Sequence, residues 1–514
     1  MNNKYLLIIL VIVMGFTFVS CGKEDGNVEL YPAYKKNGNL KAWGFIDNKG
    51  EFAVPATYKE VADFDENGIA KVYVEGKVGL INEKGEQIIP PIYDAISNVG
   101  DGVVSAIDGK NYSIIDLKGT ILYNTNDYAF VGVSSEGRIP VSKVTEEDEV
   151  KMGYIDKNGK VLINPKYELA YDFKNGRALV QKQEGKYELI DNNGNTIKKI
   201  DSKIISPSKD NETFIFIDDN DLCGYLDKNG DVLIKAKYAN AHHYEDGMAI
   251  VYDSKTIDKK DKWGVIDNKG KTLIKPKYTS ITYLGEGLFA VTKDPIEGSE
   301  IFVKKAIFNS DGEQLTDFRY YNVGKAKNKH FSVSDGKYTY LLDLKGKRAT
   351  KLPKIEGVGE LEYYGEVIKS NIDNRVTYYD KSGKIIWKED TTYKLMGKGT
   401  VKEKSYLPKL GVRIYYPEVE ELKDKSVAEK INKELYSKFV TEPMKGIEKE
   451  EVATTLISEY NVKRINDLLI VQRIANYYMA GASHNMPIEE TYHIDLNTGK
   501  FYAFDDLFKE NSNY

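Results

Sequence analysis

Few residues in this chain are of types that do chemistry, and their spacing does not bring them together. The five histidines are His242, His243, His330, His484 and His493. His242 and His243 are adjacent, so on a strand they point to opposite faces and make a poor metal clamp. No His-x-x-x-His or Cys-x-x-Cys spacing, nucleophile elbow or phosphate-binding loop is present. We therefore predict that the protein is not an enzyme and holds no metal or cofactor.

His484 is the one candidate for a binding residue. It lies in the last hundred residues together with His493, and Asp495, Asp505 and Asp506 are near in sequence. A zinc site needs about three convergent ligands, and this spacing does not supply them. The alternative for His484 is a packing or hydrogen-bonding role at the end of a strand.

A second group of acidic residues recurs in a four-residue motif, Asp-x-x-Gly. Calcium sites need several carboxylates within one loop, whereas each copy offers a single Asp, and Asn82 and Asn309 replace it in two copies. Capping of a tight turn is therefore the favoured interpretation. The ten copies end at Gly50, Gly85, Gly119, Gly159, Gly194, Gly230, Gly270, Gly312, Gly346 and Gly383, with spacings of 34 to 42 residues. A fixed period in this range is typical of repeat architectures.

One repeat unit can be interpreted strand by strand. Apolar residues flank each turn, so the unit begins with a β-hairpin whose closing glycine, such as Gly159 or Gly270, has a positive φ. A tyrosine follows eight residues after the glycine, as at Tyr58, Tyr167 and Tyr278. A proline often precedes it and is expected to end the second strand. A third alternating strand follows, so stacked units of about 35 residues must share one core.

Two copies carry the complete five-residue motif at the start of the unit, Trp43-Gly44-Phe45-Ile46-Asp47 and Trp263-Gly264-Val265-Ile266-Asp267. They resemble the WG (also called KWG) repeat of bacterial surface proteins, over about residues 41–390. Val78, Met152, Tyr187 and Cys223 replace the tryptophan elsewhere, which indicates a packing position, and Cys223 is predicted to be a small core residue. The resemblance implies a mainly β fold. We predict about ten three-stranded repeats, propeller-like or an open superhelix, followed by a small α+β domain.

The N-terminus predicts export. One lysine precedes an apolar run from Tyr5 to Val19, which is shorter than a membrane span. The sequence Phe18-Val19-Ser20-Cys21 resembles a bacterial lipobox, which implies that Cys21 carries a lipid; a plain signal peptide with a chance cysteine is the alternative. The predicted organisation is a lipoprotein signal peptide at 1–20, a tether at 21–40, the repeat array at 41–392 and an α+β module at 405–514.

The C-terminal module has a different pattern. Val427, Ile431, Leu435 and Phe439 have helical spacing, with Asp424 or Ser426 as the cap, and paired strands follow. The module is similar to the extracellular domain of polysaccharide deacetylases and lysozyme-responsive anti-sigma factors. The residues that carry this similarity are Tyr416-Pro417, Ile431-Asn432, residues 480–484, residues 495–500 and residues 505–508. That family domain normally continues further, so the module is expected to be incomplete at its C-terminus.

Composition limits the possible partners. The formal charge of −5 over 514 residues argues against nucleic acid, since no face dominated by Lys and Arg is evident. We predict a lipoprotein held on the extracytoplasmic side of a bacterial membrane. Its repeats are predicted to act as a binding scaffold for an unknown envelope protein or glycan. The alternative function is that of a sensor, or of a component of a cell-wall enzyme, acting through the C-terminal module.

Overall fold

The computed structural model describes residues 30–37, 40–253, 263–293, 302–364, 366–447, 453–503 and 506. Cys21 and the predicted signal peptide lie outside the described residues. Within them the chain forms nine antiparallel sheets, which contain ten repeat units here called blades, and then one mixed sheet with helices. Blades 6 and 7 share strand β23 and so form one hydrogen-bonded sheet of seven strands.

The strands of blades 1 to 5 follow one another along the chain and are given blade by blade, with semicolons between the blades. They are β1 (Tyr31–Asn37), β2 (Leu40–Ile46) and β3 (Phe52–Tyr58); β4 (Glu60–Val61), β5 (Ile69–Val74), β6 (Lys77–Asn82) and β7 (Gln87–Tyr93); β8 (Ala95–Ile96), β9 (Val103–Asp108), β10 (Asn111–Asp116) and β11 (Ile121–Thr125); β12 (Phe130–Val131), β13 (Ile139–Val144), β14 (Val150–Ile155) and β15 (Val161–Tyr167); β16 (Leu169–Ala170), β17 (Arg177–Gln183), β18 (Lys186–Asp191) and β19 (Thr196–Asp201).

Blades 6 to 10 continue in the same order. Their strands are β20 (Ile204–Pro207), β21 (Thr213–Ile217), β22 (Cys223–Asp227) and β23 (Val232–Ala241); β24 (Met248–Asp253), β25 (Trp263–Asp267) and β26 (Thr272–Tyr278); β27 (Ser280–Gly285), β28 (Leu288–Thr292) and β29 (Lys305–Asn309); β30 (Asn322–Lys327), β31 (His330–Ser334), β32 (Tyr338–Asp343) and β33 (Lys354–Glu356); β34 (Gly359–Tyr364), β35 (Val367–Ile372), β36 (Arg375–Asp380) and β37 (Ile385–Lys388).

The module is one seven-stranded sheet covered on one face by helices. Its strands are β38 (Tyr393–Lys394), β39 (Thr400–Tyr406), β40 (Val412–Glu420), β41 (Thr454–Ile465), β42 (Leu468–Met479), β43 (Met486–Asp495) and β44 (Phe501–Tyr502). Between β40 and β41, which pair in parallel, lie α1 (Lys425–Tyr436), a π-helical turn (Ser437–Thr441) and α2 (Glu442–Ile447). Asp424 caps α1, and Ile431, Leu435 and Phe439 are buried, as their spacing predicts.

The ten blades close into a ring. Tyr31 and Ile46 of blade 1 share a buried cluster with Tyr364 and Tyr378 of blade 10. The Tyr378 hydroxyl donates to the Pro32 carbonyl at 3.0 Å across the same seam. Of the two arrangements that the sequence allows, the structure therefore has the closed, propeller-like one.

Each turn motif folds by local contacts. The Asp47 carboxylate accepts from the backbone N–H groups of Lys49 at 2.8 Å and Glu51 at 3.0 Å, and Gly50 closes the turn at φ 85°. Asn82 and Asn309 accept the same pair of bonds in their copies. A side-chain oxygen is thus what the first position requires, which agrees with turn capping. All ten closing glycines have positive φ, including Gly159 at 83° and Gly270 at 77°, as predicted.

The glycine after each tryptophan has a different role, because it makes room for a bulge. In blade 7 Trp263 pairs with Tyr278 and Val265 with Ile274, so Gly264 alone lies opposite three residues of the last strand. A Cβ on Gly264 would lie 2.7 Å from the Ile274 carbonyl oxygen, which is too close for any side chain. The same bulge occurs in blades 1, 2, 4 and 6.

Three sequence expectations differ from the structure. The proline does not end the second strand: Pro165 and Pro276 lie inside β15 and β26, at the centre of the bulge, where no ladder bond is required. Most blades have four strands rather than three, because the chain leaving one blade adds a short first strand to the next. The outer boundaries also shift, since β1 lies within the predicted tether, and β38 and the start of β39 precede residue 405.

Candidate binding surfaces

The repeat residues singled out from the sequence pack against one another. Trp43 lies opposite Tyr58 and Trp263 opposite Tyr278 in their hairpins, and Met152 lies opposite Tyr167. Cys223 takes the same place opposite Tyr238 and is buried, which confirms it as a small core residue. These side chains therefore pack within the hairpin of each blade, and they do not form a reactive cluster.

The histidines are spread over the structure. His484 is exposed in the connection between β42 and β43, and its Nδ1 lies 3.0 Å from the backbone oxygen of the adjacent Asn485. His243 Nε2 lies 3.0 Å from the Ser206 hydroxyl, while its Nδ1 has no partner among the described residues. The Ser206–His243 pair thus lacks the third group that orients the imidazole in a catalytic triad.

Carboxylates in the turns between the first and second strands connect neighbouring blades. Asp101 accepts from the Gly137 N–H at 2.8 Å and the Ser134 hydroxyl at 2.7 Å, and Glu136 accepts from the Gly176 N–H at 2.9 Å. These acidic groups are already engaged in holding the ring together. In the part of the chain that the structure describes, no group of three or more Asp, Glu, His or Cys side chains could hold a metal ion.

Arg375 of blade 10 joins the ring to the module. Its guanidinium donates to both carboxylate oxygens of Glu403, at 2.8 and 2.6 Å, and to Glu459 at 2.8 Å, and it lies 3.8 Å from the centre of the Tyr415 ring. Burial by itself would lower the pKa of Arg375, but the hydrogen bonds to Glu403 and Glu459 outweigh burial and hold this pKa above its ordinary value. The Tyr415 hydroxyl donates to the Asp373 carbonyl at 2.6 Å.

A cavity of about 240 Å³ opens in the module between the helices and the sheet. Its wall includes Lys438 and Glu442 from the helical side and Arg473 and Glu490 from the sheet, over apolar residues such as Leu456 and Ile488. The Arg473 side chain crosses the buried face of β42, with its guanidinium over the Phe439 ring. Here the structure places two cations and two carboxylates around one apolar space.

Arg473 and Glu490 are fixed by their contacts. Arg473 Nη1 donates to Glu490 Oε2 at 2.7 Å, Nε donates to the Ser458 hydroxyl at 3.2 Å, and the Tyr492 hydroxyl donates to Glu490 Oε2 at 2.6 Å. Burial alone would raise the pKa of Glu490, but the bonds from Tyr492 and Arg473 outweigh it and lower this pKa. Glu490 is therefore ionised in the neutral range.

The bulges of the ring carry an uneven charge. Each bulge exposes the two residues on either side of its central position. These are Pro55 and Thr57 in blade 1, Pro90 and Ile92 in blade 2, Asn164 and Lys166 in blade 4, Lys235 and Lys237 in blade 6, and Lys275 and Lys277 in blade 7. The four lysines of the adjacent blades 6 and 7 are exposed and are called here the lysine bulges.

Apolar and aromatic groups adjoin the lysine bulges. Lys237 Nζ lies 5.0 Å from the Tyr238 ring centre and Lys277 Nζ lies 5.3 Å from that of Tyr278. Val232, two residues after the turn glycine of blade 6, is 58% exposed. Tyr238 and Tyr278 are themselves buried. The surface of blades 6 and 7 thus carries cations and one exposed apolar side chain, whereas the bulges of blades 1 and 2 carry neutral residues.

The fold and these surfaces define the class of the protein: a closed ring of β-blades with an attached α+β module. Five segments match the family model described as the WG-containing repeat, residues 43–77, 79–109, 152–187, 224–253 and 263–294. The chain therefore carries WG repeats. The five segments begin at or beside the tryptophan position of the five blades that contain the bulge, which accounts for the motif in structural terms.

Solved structures with detectable similarity include β-propellers, all at low sequence identity. BamB from Moraxella catarrhalis is 14% identical, with 56% of this chain and 94% of that chain covered and a TM-score of 0.29. Hsv2p from Kluyveromyces lactis is 10% identical, with 50% and 94% covered and a TM-score of 0.31. PorZ, a bacterial surface component of the type-IX secretion system of Porphyromonas gingivalis, is 9% identical, with 91% and 64% covered and a TM-score of 0.20. Similarities at this level support no inference about function.

No curated protein sequence matches the chain. Within the described residues, no helix is long and apolar enough to cross a membrane. Arg375, the cavity and the lysine bulges were not predicted from the sequence. The Lys-x-Lys pairs at 235–237 and 275–277, at equal distance from their turn glycines, are the one signal that could have revealed a surface.

Proposed function

We propose that this protein is an exported, lipid-anchored scaffold whose ring binds an acidic component of the cell envelope, a glycan or an acidic protein surface. The lysine bulges are the observation that carries the proposal. The repeats reuse one backbone, and packing requires no charge at the bulge positions, since Pro55 and Thr57 occupy them in blade 1. The four lysines at those positions in two adjacent blades are therefore not needed for packing, and they give this part of the surface a positive charge that attracts anions.

The rigidity of the ring supports this role. Adjacent blades are linked by packed side chains and by turn carboxylates, and the seam between blades 1 and 10 is closed by Tyr378 and by Glu389. Glu389 accepts from the Tyr34 hydroxyl and pairs with Lys41, both at 2.7 Å. A rigid surface loses little conformational entropy when a partner binds it, so exposed groups held at fixed spacing bind more tightly.

We expect the quadruple substitution of Lys235, Lys237, Lys275 and Lys277 by threonine to weaken binding to a purified envelope fraction by about tenfold at low salt. Each exposed charge contributes about 0.2–1 kcal/mol, and four together reach the 1.4 kcal/mol of a tenfold change. Co-sedimentation of the purified chain with the fraction at two salt concentrations measures the effect. Salt should weaken the wild-type protein more than the variant.

The matched control removes four other exposed lysines of the ring, Lys49, Lys84, Lys118 and Lys345, each at the third position of a turn. It has the same net charge as the test variant, and its binding should be close to wild type. Equal loss in both variants would mean that only net charge matters. Full binding by the test variant would assign recognition to the C-terminal module, the alternative function.

The anchor is tested separately. The lipobox resemblance at Phe18-Val19-Ser20-Cys21 supports acylation of Cys21. We expect Cys21→Ala to abolish incorporation of labelled fatty acid and to release the protein from membranes, or to leave it unprocessed. A Cys21→Ala protein that still carries label and sediments with membranes would remove the lipid-anchor proposal and leave the lysine bulges unaffected.

A further inference from the structure

The cavity of the module contains an unmatched charged donor. Arg473 is 3% exposed, and its guanidinium carries five N–H donors. Its Nε and Nη1 nitrogens bond to Ser458 and Glu490, whereas Nη2 has no partner among the described residues. A buried charged donor without an acceptor is costly, and such a group in a native structure calls for a missing partner. Arg473 forms part of the cavity wall, so a ligand in the cavity would lie beside its guanidinium, whose Nη2 is itself buried.

The charges around the cavity determine what kind of partner fits. Arg473 and Lys438 are cations, and Glu490 and Glu442 are anions. Glu490 accepts hydrogen bonds from both Arg473 and Tyr492 at its Oε2 atom. Glu442, on the exposed helical side, accepts a hydrogen bond of 3.2 Å from the Ser437 hydroxyl. The four side chains carry two positive and two negative charges, and Lys438 also pairs with Glu434 at 3.4 Å. A ligand with one positive and one negative group therefore adds no net charge to the site.

The apolar wall and the volume of the cavity restrict the kind of ligand further. Leu456 and Ile488 line the cavity together with Tyr477, and the space of about 240 Å³ is below the range of about 300–1,000 Å³ that holds drug-sized ligands. A planar carboxylate is the group that a guanidinium fork binds best. A primary ammonium group suits the carboxylates, and an aliphatic chain suits the apolar wall.

We propose that the module binds a free amino acid with an apolar side chain in this cavity. The ligand's carboxylate lies towards Arg473 and Lys438, its ammonium group towards Glu442 and Glu490, and its side chain against Leu456 and Ile488. The site is independent of the lysine bulges, which belong to the ring, so it goes beyond the scaffold function proposed above.

Calorimetric titration of the whole protein tests the proposal, with leucine, methionine and phenylalanine in both enantiomers as probes. We expect at least one of them to bind and to raise the melting temperature. Leucinamide lacks the carboxylate and N-acetyl-leucine lacks the ammonium group. Each should bind about tenfold more weakly or worse than leucine, because each leaves one pair of protein charges without its partner.

Two tryptophan substitutions locate the site. Ile488→Trp fills the cavity without removing a charge and should abolish binding. Ile474→Trp is the control, because Ile474 lies on the other face of the hairpin formed by β42 and β43 and is 40% exposed. Three results would overturn the proposal: no binding of any probe at millimolar concentration, binding that survives Ile488→Trp, or equal binding of leucine and its two blocked derivatives. Arg473→Lys, which keeps the charge and loses the fork, should weaken binding about tenfold.

Discussion

Gly153→Ala should lower the free energy of unfolding by about 3 kcal/mol or more, because a single added methyl group meets rigid backbone. Gly153 follows Met152 at the tryptophan position of blade 4. Its Cβ would lie 2.4 Å from the Ile163 carbonyl oxygen and 2.6 Å from the Pro165 nitrogen. The bulge must therefore move away, which breaks the Met152–Tyr167 pairing. Urea unfolding followed by circular dichroism measures the effect.

Gly247→Ala separates this steric clash from backbone strain. Gly247 has φ +74°, and a Cβ on it would have no atom within 4 Å. Its substitution should lower the free energy of unfolding by only about 1 kcal/mol, which is the strain of a side chain at positive φ. If Gly153→Ala costs no more than Gly247→Ala, the glycine of the motif does not serve the bulge and the structural account of the repeat is wrong.

Arg375→Met should lower the free energy of unfolding by about 3 kcal/mol and detach the module from the ring. The substitution keeps the length of the side chain and leaves Glu403 and Glu459 without their shared cation. Removing one partner of a buried ion pair costs about 3–5 kcal/mol, and the partial exposure of Glu459 places this site at the lower end. We expect a second thermal transition and faster proteolysis between blade 10 and the module.

Lys381→Met is the matched control on the same blade. Lys381 pairs with Glu366 at 2.7 Å, and both side chains are about half exposed, so its loss should change stability by less than about 1 kcal/mol. One cooperative transition in Arg375→Met, at the wild-type temperature, would show that other contacts hold the module in place.

The features that the sequence predicted correctly depend on contacts between near neighbours. Asp47 and Gly50 form their turn within five residues, and Asp424 caps α1 through the N–H groups of Ser426 and Val427. The residue types alone therefore reveal these elements. The bulge was missed, and Pro276 was wrongly taken to end its strand, because the carbonyl that excludes a side chain at Gly264 comes from Ile274 on the next strand.

The groups at the junction and in the cavity could not be predicted from spacing. Arg375 meets Glu403 and Glu459, which are 28 and 84 residues away, and Arg473 meets Glu490 only because β42 and β43 pair in one register. A shift of one residue would turn Arg473 to the other face of the sheet. Their chemistry thus depends on tertiary contacts that leave no periodic signal in the chain.

By itself the sequence determined the number of repeats, the type and place of each turn, the helix of the module and its cap, because local backbone geometry depends on local residue types. Only the tertiary structure decided that the array closes, that β23 joins two blades, and that four lysines of adjacent blades lie at equivalent bulges. Closure depends on the small rotation from each blade to the next, added over ten blades. Whether Tyr31 meets Tyr378 follows from that sum, and no single repeat encodes it.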